Sequence, residues 1–466
     1  MKLNISKKDG TNFTEGEEYK LAVKGNVKKS DGTLTALDYS GYFATNYSFS
    51  FSTEGIKALD GERSLIVCIS DIHLGADLEY SEFNKNMTAL ADFLDKVRLA
   101  PNVKELVIAG DLIDEWFVPA YVNTYDGKTQ VEFAEKLAAA NKPVIDGFNK
   151  IITEGKIKVT YVPGNHDILL VSESLQKIMP GISEARDTGL KGLGTYSPAD
   201  HQEIAFEHGH RYNYFCAPDP ISNRSITNTE SILPPGYFFT RLAATSVHEK
   251  KPAPGYDMPV VTQNSLGESQ DLLYYYFQVL KGILKDLPIK EGFDEKIIVT
   301  NIDGFTASYS MSDIFPFQET ASGPIDVVLY KGAQDNWDKR QEANLVPVKI
   351  KVQDAILKAA DSKDLDGQSD TQYFKNTNSS KRIVVFGHSH VALVKESSNA
   401  KSQKCIYANS GTWIDHNPAG TKMNFVVISP PKASGAAPEF VNVYTYSDAG
   451  EITRLDNPQA ITGLNK

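Results

Sequence analysis

Five short polar clusters in the 466-residue chain carry residue types that can do chemistry together: Ser70-Asp71-Ile72-His73, Gly110-Asp111-Leu112-Ile113-Asp114, Gly164-Asn165-His166-Asp167, His208-Gly209-His210 and Gly387-His388-Ser389-His390. Carboxylates, imidazoles and an amide without a thiolate form a donor set that suits Mn, Fe, Zn or Ni better than a sulfur-seeking metal. Asp71 and His73 stand two residues apart, as do His388 and His390. In an extended segment that spacing sends both side chains of a pair to one side, so each pair can grip a metal. Gly110, Gly164 and Gly387 supply turns where the backbone passes close to the site without a Cβ.

The elements that must hold these clusters are short apolar runs just before them. Residues 65–69, 103–109, 157–162, 203–206 and 382–386 read as strands, and each ends at a cluster. Phe83, Met87, Leu90, Leu94 and Val97 line one face of a helix between the first two strands, which predicts a βαβ unit and a sheet buried on both faces. Ligands of such sheets bind beyond the carboxyl ends of the strands, so the five loops converge on one crevice. Further strands are expected at 405–408, 425–428 and 440–446. Asp448-Ala449-Gly450 before Ile452 predicts a closing antiparallel hairpin. Residues 272–284 read as a helix in which Tyr274-Tyr275-Tyr276-Phe277 pack into a core.

The order Asp-x-His, Gly-Asp-x-x-Asp, Gly-Asn-His-Asp, His and Gly-His-x-His resembles the calcineurin-like metallophosphoesterases, over residues 71–390. The resemblance implies an α/β (α+β) fold, a four-layer αββα sandwich, and two divalent metal ions, Mn, Fe or Zn. It implies that Asp71, His73 and His390 hold one ion, that Asn165, His208 and His388 hold the other, and that Asp111 bridges them. Two such ions and two liganding carboxylates leave a surplus of about +2, attractive to phosphate and hydroxide. The implied reaction is hydroxide attack on phosphorus. His166, followed by Asp167, would steady a phosphoryl oxygen or protonate the leaving group. Either histidine of His208-Gly209-His210 has the right type, and the resemblance favours His208 as the ligand. His210 and Arg211 are expected to face the substrate phosphate, and Asp114 to orient loop groups.

Within that superfamily, Ser70-Asp71-Ile72-His73-Leu74-Gly75 with Gly110-Asp111-Leu112-Ile113-Asp114-Glu115-Trp116 looks like the branch that cleaves nucleotide-sugar pyrophosphates, although that branch has Arg where this chain has His166. Protein serine/threonine phosphatases fit worse, because Glu115-Trp116-Phe117 stands where they continue Asp-Arg-Gly. Phosphomonoester and phosphodiester hydrolysis both stay open. A non-catalytic, metal-stabilised binding module is the alternative from another class, and an intact His166 counts against it. His201, His248 and His416 lie outside every cluster and read as surface or locally bonded side chains. Asn409-Ser410-Gly411-Thr412-Trp413 is either a pocket wall or a plain turn.

At this length more than one core is expected. The division is a small β module at 1–60, resembling the last strands of a bacterial immunoglobulin-like domain; a catalytic part at 61–215; an insertion, read as a cap, at 216–380; and the rest of the catalytic part with its hairpin at 381–466. A net charge of -11 with no long Lys/Arg run argues against a nucleic-acid surface and leaves a small phosphorylated substrate as the expected partner. No apolar run approaches the ~18 residues of a membrane span. Cys68, Cys216 and Cys405 lack CxxC spacing, and Cys68 and Cys405 read as buried small hydrophobes. Met1–Gly10 has no apolar core, so no secretory signal is expected in the chain, and the immunoglobulin-like resemblance is the one hint of an exported protein. Oligomeric state stays open.

Overall fold

The computed structural model describes residues 18–28, 33–44, 63–228, 231–361, 363–430, 440–455 and 459–460. Among these, Glu18–Lys28 and Leu34–Ala44 pair antiparallel as a sheet of their own. The rest of the β module expected at 1–60 lies outside the described residues.

Two larger sheets carry the site. In the first, Leu65–Ile69 runs parallel to Val103–Ala109, which runs parallel to Lys158–Val162 and, through it, to Ser183–Glu184. On its other side Leu65–Ile69 meets Asn424–Ser429 antiparallel, followed by Phe440–Tyr446 and Ile452–Arg454, the expected hairpin with Tyr446 opposite Ile452. The second sheet has the order Leu393–Ser398, Lys404–Asn409, Ile383–Phe386, Ile204–Glu207, Thr195–Tyr196.

Period-two alternation explains how they stack. Ile66, Cys68, Val107, Val162 and Val426 of the first sheet share one dry cluster with Phe206, Ile383, Val385 and Ile406 of the second. Residues between them, Val67, Ile69, Leu106, Ile108 and Tyr161, face the helices Met87–Leu99, Gln130–Ala140, Lys142–Glu154 and Ser172–Ile178. The outer face of the second sheet, with Ala205, Val384, Phe386 and Tyr407, is covered by Leu365, Tyr373 and Phe374 from the short helical stretch Asp364–Phe374.

The first helix begins at Met87, and Phe83 joins the same core from the loop before it. Burying Leu90, Phe93, Leu94 and Val97 there contributes roughly 2 kcal/mol per side chain. Cys68 and Cys405 are buried. Residues from Tyr214 to Ile356 build a further core around the helices Pro235–His248 and Glu268–Leu284, and that core also takes in Trp116, Ala120 and Ile168 from the site loops. Tyr276 and Phe277 are almost fully buried in it, with Tyr274 and Tyr275 packed on its edge. No helix among the described residues is long and apolar enough to cross a membrane.

Candidate metal centre

The first two motif loops zip together beyond their parallel strands. Asp71 N donates to Gly110 O at 3.1 Å, Ile72 N and His73 N both donate to Asp111 O, and Asp114 N returns to Leu74 O at 2.9 Å. The extended geometry expected for the paired residues is not what brings them together. Asp71, His73, Asp111, His388 and His390 all adopt left-handed backbone, with φ of 51°, 56°, 52°, 68° and 58°. Each such residue costs on the order of 1–2 kcal/mol, strain that surrounding structure must hold and that gathers at functional sites. Gly110 is needed at its turn: its φ is 89°, and an added Cβ would lie 2.3 Å from His208 Nδ1.

Asp71, His73 and His390 bring donor atoms within 4.8 Å of one another, and so do Asp111, His208 and His388. Asp111 stands between the sets, its Oδ2 3.1 Å from His208 Nε2 and 3.6 Å from His73 Nε2. Asn165 Oδ1 lies 3.0 Å from His208 Nε2. The His208 ring is aimed by its Nδ1, 2.9 Å from Ala109 O, and the His73 ring by its Nδ1, 3.1 Å from Asp114 Oδ2. His73 Nε2 is then buried and has no hydrogen-bond partner. An orphaned imidazole nitrogen in one carboxylate-containing donor set, facing the carboxylate of the other, fits a divalent cation.

The loop around Asp71 rests on the 409–413 turn, which is a buttress rather than a pocket wall. Thr412 Oγ1 and Trp413 N both donate to Asp71 O, and Asn409 Nδ2 donates to Gly387 O. Asp71 in turn accepts the His388 N–H on both oxygens and the Ser70 hydroxyl on Oδ2.

Electrostatics bind these groups into one unit. Burial opposes a charged imidazole, yet the Asp114 carboxylate lifts His73 to about 10, and Asp111 and Asp71 lift His208 to about 9. Burial opposes ionised Asp111 as well, but the His208 and His166 rings hold it well below the usual carboxylate range. His388 is pushed down to about 3 by burial and by His208. Cations bound at such donors take the place of protons.

His166 faces the same centre. Its Nδ1 lies 2.8 Å from Asp114 Oδ1, its ring stacks on buried Trp116 at 5.0 Å and meets His73 edge-on at 4.3 Å. Asp114 thus orients two imidazoles, and it also accepts Trp116 N and Phe117 N. Asp167, expected beside His166 in the chemistry, points elsewhere. Its oxygens take the Leu112 and Gly164 N–H groups, so it ties two motif loops together.

His210 and Arg211, expected to face the substrate phosphate, are both engaged by neighbouring protein groups. His210 is buried with Nε2 2.8 Å from Gly192 O. The Arg211 guanidinium is enclosed by Glu207, Asp187, Thr195 and the Asn344 carbonyl. Local carboxylates claim an arginine that follows a motif histidine, and spacing alone does not show them. His201 is held locally by Glu203 at 3.1 Å.

Glu82 joins the centre from outside every motif: its Oε2 is 3.4 Å from His73 Nδ1, and it groups with Asp114 and His166. It comes from the loop before the first helix, where no spacing marks it.

No curated protein matches the chain. Residues 64–239 match the family model described as calcineurin-like phosphoesterase. That match covers the first four motif clusters, and the structure adds His388 and His390 from beyond it to the same centre. With Asp/His donor groups assembled at the strand ends, the match over residues 64–239 supports the calcineurin-like metallophosphoesterase superfamily, whose members are metal-dependent phosphoester hydrolases.

Proposed function

We propose that this chain hydrolyses a phosphate mono- or diester at a two-ion centre in which Asp71, His73 and His390 hold one divalent cation, Asn165, His208 and His388 the other, and Asp111 bridges. The observation that carries the reading is the orphaned His73 Nε2 of one donor set facing Asp111 of the other. Divalent ions bound there supply positive charge and lower the pKa of the water that attacks phosphorus.

The chain's own groups do the rest. Asp114 fixes the His166 ring through Nδ1, so Nε2 is the edge left for a phosphoryl oxygen or the leaving oxygen. Burial disfavours a charged His166, but Asp114 raises its pKa overall, which keeps a proton available for transfer. Water oxygen joins phosphorus, the ester P–O bond breaks, and the departing alkoxide takes that proton. Buried Trp116 stacks against the ring and fixes its plane.

Metal-stripped protein reconstituted separately with Mn, Fe, Zn or Mg, and assayed on 4-nitrophenyl phosphate, bis(4-nitrophenyl) phosphate and a nucleotide-sugar, tests the reading. Metal-dependent release of 4-nitrophenol is expected. Absence of metal-dependent turnover on every substrate would refute it.

A further inference from the structure

A cavity of about 370 Å³ opens beside Asp114, between the 75–80 loop, the 117–126 loop and His248. Gly75 and Ala76 on its wall follow the His73 segment directly, and Asp114 separates it from the His73 and His166 rings by one side chain. We propose that this cavity is the leaving-group subsite and that it takes a cationic amine, which makes phosphate esters of amino alcohols the substrate class. The proposal rests on the phosphoesterase reading given above.

Charge is the first argument. Asp77, Glu79, Asp114 and Asp126 line the cavity against the single cation Lys136, a formal balance of four negative charges to one positive. An anionic leaving group would be repelled there, a neutral sugar would gain nothing from the imbalance, and an ammonium would be attracted.

The aromatic lining points the same way. His248 meets the Tyr80 ring edge-on at 6.2 Å and the Tyr121 ring at 6.1 Å, and Tyr121 is 45% exposed. Carboxylates beside open aromatic rings are the combination that binds alkylammonium groups.

A third observation is independent of both. Thr124 lines the cavity at 7% exposure, and its hydroxyl oxygen is buried with no hydrogen-bond partner. Such an oxygen leaves one polar group of the wall unsatisfied by the protein's own donors.

The wall is built for rigidity by a segment outside the motifs. Arg241, fully buried, donates to the carbonyls of Val118, Pro119, Ala120 and Val122, and Thr245 Oγ1 accepts Ala120 N–H. Both sit on the helix that ends at His248, so one helix shapes the loop and supplies a ring to the cavity. The reaction is unchanged by this occupant: water oxygen joins phosphorus, the P–O bond to the amino alcohol breaks, and the alcohol oxygen leaves protonated.

The test compares phosphate release from phosphorylethanolamine, glycerol phosphate, glucose 6-phosphate and 4-nitrophenyl phosphate by the metal-loaded full chain. Phosphorylethanolamine is expected to exceed glycerol phosphate at least tenfold in kcat/KM. In Asp77→Asn/Asp126→Asn, and separately in Tyr121→Ala, the ratio of kcat/KM for phosphorylethanolamine over 4-nitrophenyl phosphate is expected to fall at least tenfold, through KM. Calorimetric binding of choline to the metal-free chain, lost in the same variants, gives a readout that needs no turnover. Turnover with no amine preference, or with the sugar phosphate preferred, overturns the subsite alone. No turnover of 4-nitrophenyl phosphate under any metal overturns the phosphoesterase reading beneath it.

Discussion

Asp114 Oδ1 lies 2.8 Å from His166 Nδ1, which turns the opposite ring nitrogen of His166 toward the centre. The same carboxylate, through Oδ2, turns His73 Nε2 toward Asp111. One buried side chain therefore sets the direction of an expected proton-transfer group and an expected metal ligand, and the two can be separated by mutation.

His166→Ala should keep both ions and lose turnover by roughly 10²- to 10⁴-fold, the range of a positioned proton-transfer group. Asp114→Asn should lower metal affinity and activity together, each by about 10- to 100-fold, because the anion that orients both rings is gone. Metal content by mass spectrometry alongside kcat separates the two. Full occupancy and full activity in His166→Ala would remove it from the chemistry.

Gly110, in a motif, and Gly155, at the end of the helix Lys142–Glu154, differ in what they protect. Gly110→Ala forces a Cβ to within 2.3 Å of His208 Nδ1 at a φ of 89°, so it should lower thermal stability and displace a ligand. Gly155→Ala is the control: its φ is 62°, and nothing lies within 4 Å of the added Cβ. There the cost is backbone strain of about 1 kcal/mol with metal content unchanged. Equal metal binding in the two variants would show that His208 does not depend on the Gly110 turn.

The strand ends, the βαβ unit and the C-terminal hairpin were legible because burial on both faces leaves near-continuous apolar runs and each run stops at a polar cluster. What spacing could not show was the backbone. His388 and His390 look like an extended pair in sequence, but left-handed φ at both brings them to the site, and φ is set by neighbours such as the Asp71 carboxylate that accepts His388 N–H. The ambiguity within His208-Gly209-His210 was also tertiary. His208 turns to Asp111 while His210 turns to the carbonyl of Gly192, a residue outside every motif cluster. Glu82 and His248 reach the site region from elements with no motif at all.

Glu115 gives a pH signature. It is fully buried, Tyr125 and Gln130 donate to its Oε1, Oε2 has no partner, and burial with some Asp167 repulsion pushes its pKa up to about 8. The folded state binds this proton more tightly than the unfolded chain, whose Glu titrates near 4.3, so stability should fall as pH rises from about 5 to 8. The slope from this group is on the order of 1 kcal/mol per pH unit inside that window. Glu115→Gln, uncharged at every pH, should flatten denaturant midpoints across it. An unchanged slope in that variant would assign the dependence to other groups.

The left-handed ligands yield a comparison at one position. His390 has a φ of 58° and a side chain 24% exposed, and its Nε2 lies 3.2 Å from Asp71 Oδ1. Replacing it by either Ala or Gly removes the same imidazole and the same ion pair, so metal binding should weaken equally in both. Only the glycine accepts this backbone without strain, because the Cβ of alanine still crowds its own carbonyl. Metal-free His390→Gly should therefore be more stable than metal-free His390→Ala by about 1 kcal/mol, read from denaturant midpoints at equal m-value. If the two variants unfold together, the backbone at His390 relaxes once the imidazole is gone. The left-handed turn would then be imposed by the ligand side chain rather than by the loop around it.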